Sequence, residues 1–77
     1  MTYSISVKDP FGEWKLSGVF LHRQEALSRA RRATERAGAY RIIVYCINGV
    51  GDEGIVYDSD KHVIYRDMVG HYHVARK

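Results

Sequence analysis

The chain predicts an α+β two-layer sandwich: an antiparallel sheet of four to five strands with one helix on one face, in the order β-β-α-β-β-β. Three observations carry this. Alanines recur at helical spacing between residues 26 and 37, short apolar-alternating segments lie on both sides of them, and the intervening gaps are brief and rich in glycine or aspartate. Brief connections imply antiparallel pairing. A single helix covers only one face of a sheet. With no linker, repeat or low-complexity segment, residues 1–77 read as one domain.

In the first strand Tyr3, Ile5 and Val7 alternate with Ser4, Ser6 and Lys8, the pattern of a half-buried strand. Asp9-Pro10-Phe11-Gly12 follows as a turn, because proline suits the second position of a type I turn and glycine the fourth. Trp14, Leu16 and then Phe20 form a second strand, hairpin-paired with the first, in which Gly18 predicts a bulge or a close backbone approach.

The helix begins at His22 or Arg23, carries Glu25 in its first turn and stops at Gly38. A negative charge there suits the helix dipole, and glycine takes the left-handed C′ position without a Cβ penalty. On a wheel of about 100° per residue, Ala30, Ala33 and Ala37 fall within roughly 40° of Ala26. This alanine stripe lets the helix axis lie close to the sheet, so the large core residues must come from the strands. On the other side Arg29, Arg32 and Arg36 form one ridge. It reads either as a solvated face or as a patch for phosphates or an acidic protein surface.

Residues 40–47 are apolar on both faces apart from Arg41, as in a central strand. If the helix packs on Ile42, Val44 and Cys46, then Arg41, Ile43, Tyr45 and Ile47 point away from it. An exposed apolar and aromatic face of that kind marks an interface, although Tyr and Ile are also simply good strand formers. Residues 48–54 are a glycine-rich loop. Residues 55–57 and 62–67 read as a second hairpin about the turn Asp58-Ser59-Asp60-Lys61, and residues 71–75 add a short edge strand after Gly70.

Net charge is +3, unevenly spread. Residues 21–41 hold six arginines against Glu25 and Glu35, a surplus of +4, whereas residues 42–67 hold Lys61 and Arg66 against Asp52, Glu53, Asp58, Asp60 and Asp67, a balance of −3. Such a two-sided field steers association and sets orientation. The lone Cys46 allows no internal disulfide and implies no oxidising compartment. No apolar run approaches the roughly 20 residues that span a bilayer, and there is no apolar signal segment. A cytoplasmic location is the expectation.

The residues offer little chemistry. His71-x-His73, with His22 and His62, lacks thiolate or carboxylate partners at a ligand spacing, so no metal or cofactor is expected. Asp58-x-Asp60 lacks the later glycine and glutamate of a calcium loop. No nucleophile and base stand in a recognisable pattern, and an enzyme is not expected.

The segments Gln24-Glu25-Ala26-Leu27-Ser28-Arg29-Ala30-Arg31-Arg32-Ala33, Arg41-Ile42-Ile43-Val44-Tyr45, Asn48-Gly49, Ile55-Val56-Tyr57-Asp58-Ser59-Asp60-Lys61 and Val63-Ile64-Tyr65-Arg66 resemble small phage-encoded anti-CRISPR proteins, over about residues 22–67. Some basic members share a single helix on an antiparallel sheet. The resemblance implies a stoichiometric inhibitor that binds a type I CRISPR–Cas effector complex in the bacterial host cytoplasm and blocks its target DNA. The hairpin before the helix and the segment 71–75 depart from that pattern. No contact residue is carried over from it; charge and strand alternation make Arg29, Arg32, Arg36, Arg41 and Tyr45 the expected partner contacts, with Asp52, Glu53, Asp58 and Asp60 meeting basic residues of the partner. The alternative is a small basic nucleic-acid-binding module that uses the helix arginines. A homodimer with paired sheet faces is a third reading.

Overall fold

The computed structural model describes residues 1–35, 41–48 and 54–77. Its elements are β1 (Tyr3–Lys8), β2 (Trp14–Phe20), α1 (Arg23–Glu35), β3 (Arg41–Cys46), β4 (Ile55–Asp58), β5 (His62–Arg66) and β6 (Tyr72–Arg76). The order β-β-α-β-β-β and the α+β class are those expected. Gly38, Ala37 and the loop positions 49–53 lie outside the described residues.

The strands form a four-stranded antiparallel sheet in the order β2-β1-β3-β4, and β5 and β6 form a separate two-stranded sheet. Residues opposite one another in a ladder share a face. Tyr3, Ile5 and Val7 stand opposite Cys46, Val44 and Ile42, and these six face the helix. Ser4, Ser6 and Lys8 stand opposite Tyr45, Ile43 and Arg41 on the outer face.

The first turn closes as expected. Gly12 N–H donates to Asp9 O at 3.1 Å, and Asp9 Oδ1 accepts the N–H groups of Phe11 and Glu13, both at 2.9 Å. Gly12 has φ +87°, a conformation glycine adopts without steric cost. The bulge at Gly18 is also present: the register shifts between Ile5 and Ser6, leaving Ser17 unpaired in β2. It changes the parity of the strand. Trp14 and Leu16 lie on the outer face, whereas Phe20, read from sequence as their alternating partner, turns inward onto the helix side.

The core comprises Tyr3, Ile5, Ala26, Leu27, Ala30, Ile42, Val44 and Tyr57. The helix supplies two buried alanines and a single large residue, Leu27, and the strands supply the bulk. Ala26 N–H donates to His22 O at 3.1 Å, which places the helix start where it was expected. Thr34 Oγ1, donating to Ala30 O at 2.8 Å, also meets the Tyr57 hydroxyl at 3.3 Å. No helix among the described residues is long and apolar enough to cross a membrane.

The second hairpin differs from expectation. β4 pairs with β3, and β5 pairs with β6 rather than with β4. The cause is local: His62 Nδ1 accepts the Asp58 N–H at 3.0 Å, and Ser59 N–H donates to Ile42 O at 2.9 Å. The chain therefore stays on β3 to Ser59 and then swings away. β5 and β6 cross to the helix, where Ile64, Tyr72 and Val74 pack against the core. Gln24 docks them through both ends of its amide: Nε2 donates to Tyr72 O at 2.9 Å and Oε1 accepts Tyr72 N–H at 2.6 Å.

The β5–β6 loop repeats the first turn. Asp67 Oδ1 accepts the N–H groups of Val69, Gly70 and His71 at 2.9 Å each, Oδ2 accepts from His73 Nε2 at 2.6 Å, and Gly70 has φ +102°. The hydrogen bond from His73, helped by the backbone donors, lowers the Asp67 pKa from 3.8 to about 2. A carboxyl with a lowered folded-state pKa stabilises the fold above its unfolded pKa, and the contribution fades as pH falls through the folded value. The β5–β6 loop is therefore expected to loosen between about pH 4 and pH 2. Loss of the Val69–His71 amide dispersion in an NMR acid titration checks this. Asp67→Asn should remove the pH dependence in that window, and an unchanged profile would refute the assignment.

Candidate functional site

Of the nine residues expected at a partner surface, the six that are described do not form one patch. Arg41, Asp58 and Asp60 come together, but with one another. Arg41 Nε donates to Asp58 Oδ1 at 3.1 Å and Nη2 to Asp58 Oδ2 at 2.6 Å, while Asp60 Oδ2 lies 3.3 Å from Arg41 Nε. The Asp58 side chain is only 2% exposed and also accepts the Asp60 N–H at 3.1 Å. This bidentate pair holds the Asp58 carboxyl below its usual range and raises the Arg41 pKa. The Arg41 guanidinium also lies 6.0 Å from the Trp14 ring centre. Asp58 is thus an internal anchor that turns no oxygen to a partner. Asp60 is more than half exposed but has one oxygen committed to Arg41.

Arg29 and Arg32 stand on the exposed side of the helix. Tyr45 lies half-buried on the outer sheet face, its ring over Gly54, where an added Cβ would collide with the ring. Arg36, Asp52 and Glu53 lie outside the described residues.

What the structure does assemble is an apolar outer face. Trp14 (44% exposed), Leu16 (66%) and Val19 (52%) project from β2. Ile43 and Tyr45 continue the surface on β3 and Ile55 on β4, with Ser4 and Ser6 between them on β1. Ile47, half exposed, follows the end of β3. The sequence placed Ile43, Tyr45 and Ile47 there through strand alternation. It did not place Val19, because the parity change at Ser17 has no signal beyond the neighbouring glycine.

Among the described residues no three His, Cys, Asp or Glu side chains converge as a metal site. Cys46 is a free thiol, half-buried. His73 is turned onto Asp67, stacking on Tyr65 at 5.2 Å. No family model, curated protein or solved structure matches the chain.

Proposed function

We propose that this chain is a non-enzymatic binding protein whose outer sheet face docks on a protein partner. By its sequence resemblance that partner is a subunit of a type I CRISPR–Cas effector, whose target-DNA binding the docking blocks. The observation that supports docking is the exposure of Trp14, Leu16 and Val19 on one sheet face. Contiguous apolar area rimmed by polar groups marks an interaction surface, and tryptophan and tyrosine are enriched where binding energy concentrates. Lys8 and Arg41, at one end of this face, supply a polar margin.

Co-purification with purified type I effector complexes tests the reading. Retention of the wild-type chain, reduced at least roughly tenfold by Leu16→Asp combined with Val19→Asp, is expected. These positions are exposed, so circular dichroism should show both proteins folded. The reading fails if no effector retains the chain, or if the double variant is retained equally well. Sedimentation at micromolar concentration separates partner docking from pairing of two copies through the same face.

A further inference from the structure

The side of the molecule away from that face carries a different surface. There the β5–β6 hairpin lies along the helix, and arginines from both elements gather around one phenol. Arg31 Cζ lies 5.9 Å and Arg66 Cζ 5.7 Å from the Tyr72 ring centre. On the opposite flank of the helix, Arg29 Cζ lies 5.9 Å from the ring of Phe20, and Arg32 stands exposed on the same stretch of helix. The band runs from Phe20 across the helix to Arg66.

Opposing charge is sparse. Glu35 sits 3.7 Å from Arg31, and among the described residues no carboxylate pairs with Arg29, Arg32 or Arg66. Arg66 uses Nε on the carbonyl of Gly70 at 3.3 Å, which leaves its terminal nitrogens to solvent. The surroundings register the field: the Ser28 hydrogen bond and the charges of Arg66, Arg31 and Arg32 lower the Tyr72 pKa.

We propose that Arg29, Arg31 and Arg66, ordered on Phe20 and Tyr72, form with the exposed Arg32 a binding site for the phosphodiester backbone of nucleic acid. A guanidinium laid on a ring is held in place before the ligand arrives, so less rotamer entropy is lost when it takes up a phosphate in its fork. Because the arginines cover the rings, the bases have little to stack on and recognition is of backbone charge. The site keeps Arg29 and Arg32 of the helix ridge expected from sequence and extends it across the helix. It needs Arg66 and Tyr72, which only the folding of the β5–β6 hairpin onto the helix brings to Arg31.

Fluorescence anisotropy with labelled 20-mer oligonucleotides, single-stranded and duplex, tests the proposal. Four phosphate contacts predict a salt slope of about −3 on single strands and about −3.6 on duplex, hence on the order of 100-fold weaker binding at 200 mM than at 50 mM salt. Arg31→Gln with Arg66→Gln should lower the slope by nearly two. Lys15→Gln, at the far end of β2 from Phe20, should leave it unchanged. Undetectable binding at 50 mM salt overturns the proposal. So does an equal loss in Lys15→Gln, which would mean net charge alone, and so does capture of an acidic protein but not of either oligonucleotide. None of these outcomes bears on the Leu16 and Val19 variants, whose readout is effector retention.

Discussion

Asp58→Ala is expected to destabilise the fold by about 3 kcal/mol and to lower the thermal midpoint by roughly 15 °C. The side chain is 2% exposed and takes both guanidinium bonds of Arg41. Removing it leaves Arg41 only its longer contact to the exposed Asp60, an expensive way to break a buried pair. Arg41 is 32% exposed, so water partly rehydrates it, which keeps the cost at the lower end of the usual range. The loss also frees the Asp60 N–H and loosens the turn that holds Ser59 against Ile42. Leucine at both Arg41 and Asp58 should recover most of the stability, because neither charge then remains. Urea melts of the single and double variants read both effects. A single variant within about 0.5 kcal/mol of wild type would show the pair to be incidental.

Leu27→Ala is expected to cost about 3 kcal/mol. Total stability for a chain of this length is only about 4–12 kcal/mol, so the variant should lose a quarter or more of it. The reason lies in the composition of the helix. Its other buried residues are Ala26 and Ala30, which bring the axis close but bury few methylenes. Leu27 is the one large side chain the helix sends into the core with Ile42, Val44 and Tyr57. Leu27→Met keeps the volume and should cost less than about 1.5 kcal/mol. Chemical denaturation followed by circular dichroism measures both. Equal, small losses would mean that the hairpin docking at Gln24 holds the helix instead.

The helix, the first hairpin and the central strand were legible because each rests on a local signal: alanine period, a proline–glycine turn, a continuous apolar run. The second hairpin was not, although its signal was present. Asp67-Met68-Val69-Gly70 has the same first and last residues as Asp9-Pro10-Phe11-Gly12, and it closes with the same aspartate oxygen and the same positive-φ glycine. Without proline it passed for a strand end. The fate of Asp58 was hidden for another reason. A carboxylate in a polar turn reads as solvated, and only the long-range approach of Arg41 buries it. Tyr72 likewise looked like an edge residue, because nothing local announces that Gln24 will clamp its backbone.

The extra residue at Ser17 also bears on how this molecule keeps company with itself. A straight outer strand with Leu16 and Val19 in the open would template endless edge-to-edge stacking of copies, the route by which such strands seed fibrils. The kink at Ser17 and Gly18 breaks that strand into two short runs, and Lys15 sets a charge within the first. Backbone pairing with a neighbouring copy then ends after a few rungs. The protein can leave its greasy side bare and stay clear of polymers.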